Sequence, residues 1–165
     1  MLELQLLRHA KSSWDDEQVR DHDRELNARG LRSAPAVGRF LRDHDVCPDL
    51  VLSSTAKRAA QTAELCVQAA GCEATILRLE DLYLAAPAEL LANVRKHGGE
   101  AKTVLLVAHN PGLEQLATSF AKALTPFPTA ALARVSIDLE DWASLDGTAA
   151  GELRELVRAD KLEED

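Results

Sequence analysis

Residues 103–112 read TVLLVAHNPG: an apolar, partly β-branched run, then a histidine, then Asn-Pro-Gly. The run Thr103 to Ala108 is the strongest strand signal in the chain. Asn110 suits a helix N-cap and Pro111 the first helical position, so a helix is expected from there to about Leu124. A strand that passes into a helix is the repeating unit of a parallel sheet. The same unit recurs upstream. Leu2 to Leu7 is expected to be a short buried strand, followed at once by Arg8 and His9. Leu50 to Leu52 reads as another, ending at Ser53-Ser54, with a helix from about Ala56 to Ala70 and Gly71 as its C-cap.

The remaining segments fit the same plan. Asn27 to roughly His44 reads as a helix, with Leu31, Ala34, Val37, Phe40 and Leu41 recurring at helical spacing. Pro48 breaks the chain, Ala74 to Leu79 reads as a strand, and Pro87 opens a helix that ends near Gly98-Gly99. Pro126 and Pro128 mark a loop; Leu132 to Leu139 alternates and reads as a last strand. The charged tail after Gly151 has two readings, a paired strand or a frayed end. Ser12 to Asp23 is a long, charged, irregular connection, and loops of that length often carry function. The expected fold class is α/β: a three-layer domain over residues 1–165, with a largely parallel central sheet flanked by helices.

Composition narrows the function classes. Apolar residues are 46% of the chain, enough for a full core, while aromatics are only 4%, so the core is mainly Leu, Val and Ala. The net charge of −8 disfavours nonspecific binding to nucleic acid or to an anionic membrane, and neither is expected as a partner. An anionic substrate would need a locally basic pocket. Cys47, Cys66 and Cys72 are odd in number and form no CxxC, so buried free thiols in a reducing cytosol are expected. The start MLELQLLRHA does not read as a signal peptide, and no apolar stretch approaches membrane-spanning length. A cytoplasmic protein is the resulting expectation.

Three strand ends carry reactive residues: Arg8-His9, Ser53-Ser54 with Arg58 in the next helical turn, and His109-Asn110. In an open parallel sheet, ligands bind beyond the carboxyl ends of the strands, so these residues are expected to converge. Helix N-termini nearby favour an anion, and paired guanidinium forks clamp phosphate oxygens. Each residue also has a plainer reading: Arg-His as a surface pair, Arg58 as a solvated first-turn side chain, His109 as a strand cap. Their joint occurrence favours a site. A metal is not expected, because ligand spacing is lacking and the arginines would repel a cation. No GxSxG elbow surrounds Ser53 or Ser54, so these serines read as caps. His22, His44 and His97 read as ordinary surface residues. Trp14 either folds the first loop over the pocket or merely packs.

These motifs resemble the histidine phosphatase superfamily, which also holds the phosphoglycerate mutases. Arg8-His9-Ala10 matches its Arg-His-Gly, Ser53 to Ala63 its Ser-Ser/Pro-x-x-Arg-Ala-x-Gln-Thr-Ala segment, and Ala108-His109 its closing Gly-His. The order and spacing match over roughly residues 1–125. The short length and the stretch HAKSSW…DHDRELNARG are similar to the SixA-type phosphohistidine phosphatase branch. The resemblance implies that His9 attacks phosphorus and becomes phosphohistidine. It implies that Arg8, Arg58 and His109 bind the phosphoryl oxygens, with no cofactor. Larger members supply a glutamate as general acid after the third strand; Asp81 aligns with it better than Glu80, and both also read as solvated loop carboxylates. Asp23 and Arg24 either line the pocket mouth or form a salt bridge on its rim.

The implied activity is hydrolysis of protein phosphohistidine or of phosphomonoesters. A phosphorylated protein is the preferred substrate, because the chain lacks insertions that would build a lid over a small molecule. A broad small-molecule phosphatase and a phosphate-binding module without turnover are the alternatives.

Overall fold

The computed structural model describes residues 1–147 and 151–162. Its strands are β1 (Leu2–Arg8), β2 (Leu50–Ser54), β3 (Thr75–Leu79), β4 (Thr103–Ala108), β5 (Leu132–Ile137) and β6 (Gly151–Val157). Its helices are α1 (Ala28–Asp43), α2 (Lys57–Ala70), α3 (Pro87–His97), α4 (Gly112–Ala121) and the short α5 (Ala159–Leu162). The strands form one sheet in the order β3-β2-β4-β1-β5-β6. β3, β2, β4 and β1 run parallel; β5 and β6 are antiparallel additions. The tail beyond Gly151 thus pairs as a strand, and β6 and β3 are the two edges.

Alternation along β4 explains the layering. Val104, Leu106 and Ala108 enter a cluster with Leu90 and Val94 of α3 and Leu113, Leu116 and Phe120 of α4. Leu105 and Val107 enter the opposite cluster, with Val37, Phe40 and Leu41 of α1 and Ala59, Ala63 and Cys66 of α2. A strand buried on both faces has no polar face to show, hence its unbroken apolar run. β1 divides likewise, with Leu4 and Leu6 on one side and Leu7 on the other.

The expected elements hold with local differences. Asn27 caps α1, its side chain accepting from the Gly30 N–H, and Gly71 ends α2 at φ 67°. Leu31, expected on the apolar face of α1, is half exposed; the buried stripe runs through Ala34, Val37, Phe40 and Leu41 instead. α4 stops at Ala121, short of Leu124, because Lys122 turns left-handed at φ 59°. Pro111 occupies its N-cap, and Asn110 contributes by accepting from the Glu114 N–H.

The cysteine expectation is corrected. Cys47 and Cys72 form a disulfide, and Cys66 alone is a buried free thiol, its pKa pushed up by burial to about 12. The turns after α1 and α2 bring the two Cα atoms within 5.8 Å, a proximity that spacing in sequence does not reveal. With two of the three cysteines cross-linked, free thiols no longer speak for a reducing compartment. Among the described residues, no helix is long and apolar enough to cross a membrane.

Candidate active site

At the carboxyl ends of β1, β2 and β4 the sheet opens a cavity of about 340 Å³ lined by Arg8, His9, Arg58 and His109. Each arrives by a separate local device. His9 follows the last residue of β1, and its N–H donates to the Ala108 carbonyl at the end of β4. Arg58 stands in the first turn of α2. Thr62, one turn on, accepts from the Ala10 N–H at 3.0 Å and donates to the Arg58 carbonyl at 2.6 Å. That threonine ties the end of β1 to α2, which gives the Gln-Thr-Ala part of the second motif a structural purpose. His109 follows β4 directly and bonds Ser54, the last residue of β2, at 2.8 Å.

The hydrogen bonds fix the histidine tautomers. His9 Nδ1 lies 2.8 Å from the Ala10 carbonyl, which can only accept, so Nδ1 carries the proton. Nε2 is left with its lone pair, 3.4 Å from the Arg58 Nε–H. His109 Nδ1 accepts from Arg58 Nη2 at 3.4 Å, so Nε2 carries the proton and donates to Ser54 Oγ. The two rings lie 5.2 Å apart, and His9, Arg58 and His109 are all buried. Burial lowers the His9 pKa to about 3, with Arg58 and Arg8 acting in the same direction. His109 is also lowered to about 3, by burial first and then by His9 and Arg58. Both rings are neutral near pH 7. Arg8 donates Nη1 to the Phe127 carbonyl at 3.2 Å, while its buried Nε has no hydrogen-bond partner among the described residues. A lone-pair nitrogen beside two guanidinium groups suits attack on an electron-poor centre that carries negative oxygens.

The carboxylate at this cavity is Asp21, not Asp81. Asp81 is exposed in the short 3-10 turn Glu80–Leu82, as is Glu80, and neither lines the cavity. The residues that follow bring Leu84 to the cavity lining and Tyr83 against Asp21 and His109. Asp21 lies in another 3-10 turn, Asp21–Asp23. Its backbone carbonyl accepts from Arg58 Nη1 at 2.7 Å and its carboxylate from Arg58 Nη2 at 3.0 Å. Arg24 and the Tyr83 hydroxyl also donate to that carboxylate. Burial alone would raise the Asp21 pKa, but the Tyr83, Arg24 and Arg58 contacts outweigh it and hold the carboxyl below the usual carboxylate range.

Of the rim alternatives, Arg24 lines the cavity, whereas Asp23 pairs with Arg20 on the surface. His22, expected as an ordinary surface residue, is half-buried, bonded to Thr55 Oγ1 at 2.9 Å and edge-on to Tyr83. Asp21 and Tyr83 were missed from sequence. The spacing Asp21-x-x-Arg24, inside the irregular connection, was the available signal, since one tight turn makes such a pair neighbours. Among the described residues, no three His, Cys, Asp or Glu side chains group as metal ligands.

Comparison with known proteins adds four relations. Residues 4–82 match the profile of the histidine phosphatase superfamily, branch 1. A Nakamurella multipartitia protein assigned as phosphohistidine phosphatase SixA superposes with a TM-score of 0.82 at 32% identity, covering 95% of each chain. One from Agrobacterium tumefaciens with the same assignment gives 0.80 at 29%, covering 95% of this chain and 97% of its own. An uncharacterized Mycobacterium tuberculosis protein is 35% identical over 156 residues, which is 87% of this chain and 95% of that one.

Proposed function

Because the chain belongs to the histidine phosphatase superfamily, in its SixA-type branch, we propose that it hydrolyses phosphohistidine on proteins through a phosphorylated His9. The Nε2 lone pair of His9 attacks phosphorus, and the bond to the leaving nitrogen breaks in line with it, its electron pair staying on an imidazole whose other nitrogen already carries a proton. Water then attacks phospho-His9, releasing inorganic phosphate and restoring the imidazole. Arg8 and Arg58 hold the phosphoryl oxygens and offset their charge, which is most of what phosphoryl transfer demands of a protein. Burial first, and then the fields of His9 and Arg58, keep His109 neutral; a bound anion offsets them, so Nδ1 takes a proton from solvent and donates to a phosphoryl oxygen in place of accepting from Arg58. No metal step is required in this scheme.

The observation that carries the substrate class is the state of the pocket carboxylate. Asp21 is held ionised by Tyr83, Arg24 and Arg58, so it has no proton to give. An alkoxide needs a proton in order to leave, whereas an imidazole leaves with less help. A phosphoramidate therefore suits this pocket better than an alkyl ester.

The first test uses a small protein phosphorylated on histidine with phosphoramidate. Wild-type chain should release phosphate from it and, after rapid quenching, carry an acid-labile phosphate. His9→Ala should do neither. Wild-type turnover in His9→Ala sinks the mechanism.

A further inference from the structure

The mouth of the phosphoryl pocket carries an exposed aromatic side chain held in one orientation. Trp14 is 70% exposed yet lines the same cavity as His9, Arg58 and His109. The Arg24 guanidinium carbon sits 3.5 Å from the centre of its ring. Arg24 is itself buried and bonded to Asp21, to Ser12 Oγ and to the Ser13 carbonyl. A cation fixed by that many partners is a rigid support, and it stands over one face of the ring. One face is thereby covered and the rest of the ring stays open. A single exposed leucine or valine needs no explanation, but a tryptophan pinned at a pocket mouth does. Leu84 reinforces the point. It lines the cavity too, is 55% exposed, and holds φ at 53°, a left-handed conformation that branched, bulky residues rarely adopt.

We propose that Trp14, backed by Arg24, is a specificity platform on which a planar aromatic leaving group of the substrate stacks, with Leu84 as a second apolar contact. The proposal rests on the phosphoryl-binding reading of the pocket and adds what lies on the far side of phosphorus. With the phosphoryl oxygens on Arg8 and Arg58, the group bonded to phosphorus must pass through the mouth, where Trp14 and Leu84 stand exposed beside Lys11 and Asp21. An imidazole or phenol ring can stack on the open part of the Trp14 ring, whereas an alkyl group has no π face to offer it. Trp14 takes no part in bond making. It selects what the phosphoryl group is attached to.

The experiment measures dissociation constants of the full chain by titration calorimetry for phenylphosphonate, methylphosphonate and inorganic phosphate. The carbon–phosphorus bond prevents turnover. Wild type should bind phenylphosphonate roughly 3- to 10-fold tighter than methylphosphonate. Trp14→Ala should bring that ratio close to one, and Trp14→Phe should retain most of it. Since Trp14 is exposed, folding of these variants is checked by an unchanged melting temperature. An equal ratio in wild type and Trp14→Ala overturns the platform while leaving the phosphoryl site standing. If wild type binds none of the three ligands, the phosphoryl site falls and the platform with it.

Discussion

The Arg58 guanidinium is held in place before a phosphoryl group arrives, by the Asp21 carbonyl at 2.7 Å and the Asp21 carboxylate at 3.0 Å, while its 3.4 Å contacts to His9 and His109 are the ones a phosphoryl oxygen replaces. Such a fork cannot be copied by an ammonium. Arg58→Lys should therefore lose about 2–4 kcal/mol of transition-state stabilisation, read as a drop in kcat/KM. Full activity in that variant would place Arg58 outside the reaction. The neutral histidines give a second prediction. With its pKa lowered to about 3, His9 binds a proton less readily in the folded chain than in the unfolded one. Stability should fall as pH drops from the unfolded value of 6.5 towards 3, and the His9 ring signals should not titrate between pH 5 and 8 in NMR spectra. A midpoint near 6.5 would mean a solvated ring. Arg8, His9, Arg58 and His109 were legible in sequence because each sits at or just past a strand end. Asp21 was not, because its placement depends on how an aperiodic loop folds back.

Elements meet at this site with little clearance. The first turn of α1 abuts the segment leaving β1: a Cβ on Gly30 would lie 2.2 Å from the Lys11 carbonyl oxygen, which accepts from the Asn27 N–H. Gly30→Ala must therefore push α1 away from Ala10-Lys11. It should cost about 1–3 kcal/mol, seen in the denaturation midpoint, and should also lower kcat by shifting His9. A variant with unchanged midpoint and unchanged kcat would show that this contact is loose. Helix ends such as Asn27 and Gly71 could be read because capping is local chemistry. The end of α4 could not, because nothing in Lys122 announces a left-handed backbone.

At the scale of the whole molecule, the disulfide and the pocket lie at opposite ends of the sheet. Cys47 and Cys72 precede β2 and β3, while the reactive residues follow β1, β2 and β4. Closing a span of 25 residues stabilises by about 3 kcal/mol in the chain-entropy account. For a chain of this size, reduction should lower the melting temperature by roughly 6–12 °C and leave kcat unaltered at temperatures where the fold persists. Identical melting curves with and without reductant would remove the bond from the account of stability. The largely parallel sheet followed from alternating strands and helices; its strand order did not. The cross-link did not, since two turns must first be brought together by packing.

The open sheet has a further consequence. β3 and β6 each pair on one side only, so each offers a row of backbone donors and acceptors to any strand that drifts past. β6 alternates exposed Glu152 and Arg154 with its half-buried residues, and Arg78 of β3 is tied to Glu64 of α2. A second copy of the chain approaching either edge would have to strip water from those charges. The same residues that contribute little to the folded chain's stability thus keep crowded copies from zipping together into extended fibrils.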